Sequence, residues 1–355
     1  MKHLWTMVLI AGGIAWSAAA AGAELQAEID AAVRNGAAEI RLARSEYSLS
    51  KTVKLQQLRN LVIDGGGARL IVRRSDINAF MLQQCESVTL RNFSVDYDPL
   101  PFTQGVVTAR DGKQLQIQID LGYPPMSPAF KVSYLHVFDP SGERWKKNCP
   151  DVYGRMKPLS PMSFSFQMRE AAPVEVGDRV AVNRRSPAAF RITRCGDLSF
   201  CDITVYASPG VAFHGRYGHG KAEFRRIRII RGGTPAGATS ARLLAGCADG
   251  INFATSRGGV RVIDCEFSYL GDDGINLHSE LLPVAARINP HSIDTLYPYG
   301  QYKTHFDEVF QPGDRVRFVR PGDYAVIGEA KLARIVKSPR AAALEARAAE
   351  FFPVR

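Results

Sequence analysis

The sequence predicts an all-β fold: a parallel β-helix with small β-barrels inserted into its loops. Three observations predict it. Short β-rich runs punctuated by glycine fill the middle of the chain, and no long helical pattern interrupts them. A unit near 24 residues recurs within those runs. Two stretches break that rhythm with longer, proline-containing strands, and both carry Gly-Asp-Arg-Val, at 177–180 and 313–316.

From the N-terminus, Lys2 and His3 precede the apolar run "LWTMVLIAGGIAWSAAAA" and the small-residue site "AGA" at 21–23. This reads as a signal peptide, residues 1–23, cut after Ala23. The protein is then exported, periplasmic or secreted, with no membrane span after processing. Next, "ELQAEIDAAVRNG" (24–36) has helical apolar spacing and a glycine stop, and is expected to cap the open end of the helix.

The β-helix is assigned to 24–98 and 186–285. There "ESVTLRNFSV" (86–95), "GDLSFCDITV" (196–205), "GKAEFRRIRI" (220–229) and "RGGVRVIDCEF" (257–267) share one pattern. Apolar residues alternate, a polar pair turns the chain, and alternation resumes. Phe200 to Phe224 and Asp249 to Asp273 are both 24 residues apart. Short strands repeated at that period stack as coils about 4.8 Å apart, which lines up equivalent residues in ladders. The first insertion is placed at 99–185 as a β-barrel, and 286–340 as a second, partial one. The tail, 341–355, has helical propensity in "RAAALEARAAE" but no cap behind "FFPVR", so the sequence is expected to stop short of the native end.

The formal charge is +10, and +9 once Lys2 leaves with the leader. Basic chains bind nucleic acids or anionic surfaces. The arginines here are scattered ("RRIRIIR", "NRRS", "VRRS") with no aromatic-basic module, so a solvated basic surface is read and no nucleic-acid partner is expected. Six cysteines occur (Cys85, Cys149, Cys195, Cys201, Cys247, Cys265) without a C-x-x-C, which argues against zinc. Most lie in strand-like runs, where free cysteine packs as a small hydrophobe.

The chemistry concentrates where Asp-Gly-Ile-Asn is written twice, in "CADGINFATS" and "YLGDDGINLHS". In the 24-residue register Asp249 and Asp273 share one ladder on neighbouring coils, about 5 Å apart. Asp272 precedes Asp273, and adjacent strand residues point opposite ways, so it projects in another direction. Three carboxylates in one patch repel, and crowding raises the pKa of at least one. Such strain points to function. Turn-forming aspartates and a Ca²⁺ site are competing readings. Paired carboxyls also suit glycoside hydrolysis, and spacing alone leaves retention and inversion open.

These motifs resemble known enzymes. "ADGIN" followed by "GDDGIN" is similar to the aspartate pattern of polygalacturonase-type hydrolases of the pectin-lyase-like superfamily. Together with "LVIDGGGARLI", "VTLRNFSVDYDPLPFTQG" and "CEFSYLGDDGINLH", the chain more closely resembles glycoside hydrolase family 110, the bacterial α-1,3-galactosidases. The resemblance covers most of 24–340. It implies a right-handed β-helix, no metal or other cofactor, and inverting, exo-acting removal of terminal α-1,3-linked galactose from an oligosaccharide or glycoconjugate. Carried over by position, Asp272 is the general acid, and Asp249 and Asp273 together activate water. Ala248 and Gly274 depart from the polygalacturonase pattern, and "GHG" (218–220) falls on the wrong side of the aspartates, which argues against pectin. Family members continue well past this chain's end.

Four further residues are candidates for sugar binding. His214 and His278 are read as one ladder with Ala254 between them, and Asn276 stacks on Asn252, where a structural asparagine ladder competes. Asp98 leaves the helix just before the first insertion, where a turn competes. Trp145 and Tyr217 could stack on a sugar but have no register in the repeat. The alternatives kept open are a non-catalytic glycan-binding or Ca²⁺-stabilised β-helix and another pectinase-like hydrolase. A lyase is weaker, because it needs a basic residue and the cluster is acidic.

Overall fold

The computed structural model describes residues 21–128, 130, 134–279, 281–296, 309–340 and 343–344. Nearly all of the expected leader and tail lie outside these residues. The architecture is nearly all β, with parallel sheets.

Two parallel sheets dominate. One is built on the strands Glu39–Arg41, Arg59–Val72, Glu86–Tyr97, Leu198–Val205, Ala222–Arg225 and Val260–Ile263. The other orders Val53–Gln56, Phe80–Gln83, Phe190–Thr193, Phe213–Arg216, Ile251–Ala254 and Ile275–His278. The chain visits the two sheets alternately, so each pass adds one rung to both. Successive rungs pair Leu61 with Val88, Val88 with Leu198, Leu198 with Ala222, and Ala222 with Val260. The offsets are thus 27, 110, 24 and 38 residues: the rung repeats in space while its length varies.

Inward positions alternate with outward ones, as the period-2 pattern requires. The interior is a stack of aromatics. Phe80, Phe190 and Phe213 lie face to face at 5.4 and 4.4 Å, and Phe200 and Phe224 at 5.1 Å. The polar pairs of the repeat bend each rung. Asn92, Asp202, Arg226 and Asp264, equivalent in the ladder, all take positive φ near 55°, a conformation that Asn and Asp tolerate best. All six cysteines are free thiols, three of them buried.

The helix Ala21–Arg34 buries Leu25 and Ile29 and stops before Gly36, whose φ of +73° suits a helix terminus. It starts ahead of the expected cleavage site, so cutting after Ala23 would trim its first turn. Gln26 accepts from the Lys54 amide at 2.7 Å and donates to the Lys54 carbonyl at 3.0 Å. Both groups belong to the first strand of the second sheet, so the helix satisfies an edge that would otherwise invite pairing.

Between Phe102 and Asn183, six antiparallel strands close into a barrel. The loop 231–245, which lengthens one rung, is gripped by it. Gln104 donates to Ala241 O at 2.9 Å and accepts from Leu243 N at 2.7 Å. Buried Arg242 makes a two-point pair with Asp96 at 2.7 and 2.9 Å. In place of the expected second barrel, the described residues of 281–340 form two separate hairpins. Val284–Asn289 pairs with Ser292–Thr295, and Arg315–Val319 with Val326–Lys331. Residues 297–308 lie outside the described set. The shared Gly-Asp-Arg-Val proves to be a shared turn. Gly177 and Gly313 take φ of +95° and +99°, and Asp178 and Asp314 accept from the amides of Glu175 and Gln311.

Candidate active site

The duplicated Asp-Gly-Ile-Asn is one local unit set on two rungs. Ile251 pairs with Ile275 and Asn252 with Asn276, in parallel. The Gly250 amide donates to the Asp273 carbonyl at 2.9 Å, so Asp249 and Asp273 occupy equivalent places one rung apart, a spacing of about 4.8 Å. A Cβ at Gly250 would lie 2.6 Å from Gly274 O, which explains glycine after the first aspartate. Each carboxylate is held by the asparagine three residues on. Asn252 donates to Asp249 at 2.6 Å, and Asn276 to Asp273 at 3.0 Å. The asparagines are vertical neighbours, but their amides serve the carboxylates.

The additional aspartate is turned elsewhere. Asp272 accepts from the Asp273 amide at 3.1 Å with one oxygen and from the Arg185 guanidinium with the other. Asp249 is buried, whereas Asp272 and Asp273 are exposed. Burial pushes the Asp249 pKa above the ordinary carboxylate value. The Asn252 hydrogen bond opposes that shift, and the charges of Asp272 and Asp273 add to it. Among the described residues, no three His, Cys, Asp or Glu groups are arranged to hold a metal.

The barrel walls one side of the cluster. Arg185 is the second residue past its last strand, Arg179–Asn183, and its guanidinium lies 5.7 Å from the centre of the Tyr134 ring. Asn183 donates to Cys247 O at 3.0 Å and sits 2.6 Å from His136 Nε2. His136 is fully buried, and burial followed by the Arg185 charge lowers its pKa to about 3, so it is neutral. Its Cε1 packs on Gly271, where a Cβ would lie 2.8 Å from it and 2.7 Å from Cys247 O. The chain enters Asp272 through a gap that only glycine fits. Sequence reasoning missed Arg185, His136 and Asn183. Their one sequence signal is position, since Asn183 and Arg185 mark the return from the insertion.

The other candidates divide. His214 pairs with Asn252, not Ala254, so it falls in the row of Asn252 and Asn276. His278 pairs with Ala254, in the next outward row. The expected histidine ladder is therefore corrected: the two histidines occupy different rows. They still sense each other electrostatically. Burial first, then Arg216, Arg191 and His278, lowers the His214 pKa to about 3. A neutral His214 beside Asn252 can donate or accept a hydrogen bond, while His278 is exposed on the last described rung. Asp98 is exposed and pairs with Arg73 at 2.6 Å.

Three clustered carboxyls, one of them buried and avid for protons, can hold and move a proton between a water and a leaving oxygen, the chemistry of glycoside hydrolysis. The known proteins similar to this chain agree with that class. Over 304 residues it is 25% identical to alpha-1,3-galactosidase B of Akkermansia muciniphila, covering 78% of this chain and 36% of that protein. It is 25% identical over 271 residues to alpha-1,3-galactosidase B of Bacteroides thetaiotaomicron (68% and 42%). It is 24% identical over 295 residues to alpha-1,3-galactosidase A of the same organism (78% and 50%). These similarities support a distant relation to the α-1,3-galactosidases. The chain spans half or less of the length of these relatives. No family model matches. The tailspike protein gp49 of Pseudomonas phage LKA1 is similar at a TM-score of 0.23 and 14% identity, over 69% of this chain and 39% of that one, a likeness too slight to carry an argument.

Proposed function

We propose that this protein is an exported, inverting exo-glycosidase that removes terminal α-1,3-linked galactose from glycans. In this reading residues 24–98 and 186–285 form a right-handed parallel β-helix of the pectin-lyase type, interrupted by the barrel at 99–185 and the segment 286–340. The observation that carries the reading is the register that stacks Asp249 over Asp273 with Asp272 beside them.

Asp249 and Asp273 clamp one water between successive rungs. The raised proton affinity of Asp249 makes it a stronger base than an ordinary carboxylate, while Asn252 and Asn276 aim the two carboxylates. Asp272, turned away from that pair, delivers a proton to the leaving oxygen. Arg185 bonds one Asp272 oxygen here, so Arg185 must leave that oxygen and Asp272 must take up a proton from solvent before it can protonate the leaving oxygen. His214, beside Asn252, and Asn276, bonded to Asp273, offer hydrogen bonds to sugar hydroxyls; His278 sits in the next outward row, and Asp98 is tied to Arg73.

Asp272→Asn tests the role assignment. On an α-1,3-linked digalactoside, kcat is expected to fall by about 10²- to 10⁴-fold, the usual loss of a general acid. On an aryl α-galactoside, whose good leaving group needs little protonation, the loss is smaller. Turnover of the digalactoside at the wild-type rate removes Asp272 from the mechanism.

A further inference from the structure

We propose that Trp145, in the barrel loop between Tyr134–Phe138 and Val152–Ser160, is the stacking surface for the sugar on the leaving side of the scissile bond. This rests on the hydrolase reading and on Asp272 facing the leaving oxygen.

The indole stacks on Phe138 at 4.9 Å and 20°, and leans on His136 at 5.3 Å. It nevertheless remains 43% exposed. His136 in turn packs on Gly271, the residue before Asp272. One imidazole therefore separates an exposed indole from the carboxyl cluster, on the Asp272 side. Tyr153 is similarly exposed, but Arg169 lies over its ring at 5.9 Å and Tyr134 packs against it at 5.2 Å. Trp145 has one face fixed on Phe138 and no cation over its ring among the described residues, and it keeps much of its surface exposed.

The loop that carries it is stitched down on both sides. Glu143 accepts from Arg231 at 2.7 Å, at the start of the loop 231–245, and from the Tyr269 hydroxyl at 2.9 Å, three residues before Asp272. Lys146 bonds Asp178 at 2.6 Å and Glu175 at 2.8 Å, on the barrel. Between these anchors Trp145 bridges to Phe138 in β geometry. A flat ring held this firmly loses little entropy when a ligand covers it. Pyranoses have an apolar C–H face that suits such a ring, while their hydroxyls meet polar neighbours. The galactose ring belongs at the carboxyls, so the indole takes the next sugar.

The chain has three tryptophans, and Trp145 is the only one beyond residue 16. Trp5 and Trp16 leave with residues 1–23, so in the processed protein emission reports Trp145 alone. In that protein, made inert by Asp273→Asn, an α-1,3-linked digalactoside is expected to shift the emission and free galactose is not. In the active protein, Trp145→Ala is expected to raise KM for the digalactoside about tenfold with kcat little changed. It leaves kcat/KM for α-galactosyl fluoride, which has no leaving-side ring, as in wild type, and Trp145→Phe recovers most of the loss. Unchanged KM in Trp145→Ala, or equal losses on both substrates, overturns the proposal while leaving the hydrolase reading intact. An emission shift with the digalactoside in a protein that hydrolyses no galactoside supports the stacking surface and overturns the hydrolase reading. The absence of both overturns the two together.

Discussion

Asp249→Asn is expected to lower kcat on an α-1,3-linked digalactoside by about 10²- to 10⁴-fold, the usual contribution of a general base, while raising the melting temperature at neutral pH. Both effects come from burial. The folded chain holds the Asp249 proton more tightly than the unfolded chain, where an aspartate titrates near 3.9. The stability this contributes is fully present below that unfolded value and is lost as pH rises through the raised folded value. Above the folded value the ionised, buried Asp249 therefore works against the fold. Asparagine removes the charge and keeps an oxygen for the Asn252 amide to bond. Calorimetry at pH 4 and pH 7 checks the sign: the gain should be larger at pH 7. A variant that melts below wild type at pH 7 contradicts the burial argument. The same shift moves the acid limb of the wild-type pH–rate profile upward from where an ordinary aspartate would put it, because the base must be ionised to act.

Phe213→Ala is expected to cost about 3–5 kcal/mol, the usual range for emptying an aromatic site in a packed interior. Phe213 is fully buried, stacks on Phe190 at 4.4 Å and meets Phe200 and Phe224 edge-on at 5.3 and 5.2 Å. Its amide also donates to Gly250 O at 2.9 Å, between Asp249 and the next strand. The cavity thus opens directly beneath the rung that carries Asp249, and activity should fall along with stability. Urea unfolding followed by circular dichroism measures the stability change. A loss below about 1 kcal/mol would mean that the rungs close over the gap.

The aspartate register was legible because the rung that joins Asp249 to Asp273 has the plain 24-residue length, which places Phe224 on Phe200 as well. The histidine register was not. Setting His214 level with Ala254 puts Phe213 on Phe253, whereas hydrogen bonding sets Phe213 on Ile251. The two alignments differ by two residues. A two-residue slip keeps every inward side chain inward, so the apolar pattern cannot tell them apart. The loop 231–245, held in place by Arg242 and Gln104, absorbs the extra length invisibly to periodicity. Arg185 and His136 were out of reach for a different reason. They come from an insertion without the repeat, and only docking of the barrel brings them against Gly271 and Asp272. Trp145 had no register for the same reason, and its place beside His136 appears only in three dimensions.

The central claim is that stacked Asp249 and Asp273 drive water onto an α-galactoside from the face opposite Asp272. Proton NMR of an α-1,3-linked digalactoside during its first minutes with wild-type protein tests it most directly, with Asp273→Asn run alongside. The expected result is β-galactose as the first anomer released, equilibrating to α only later, and no release by the variant. α-Galactose appearing first, or release by the variant at the wild-type rate, would contradict it.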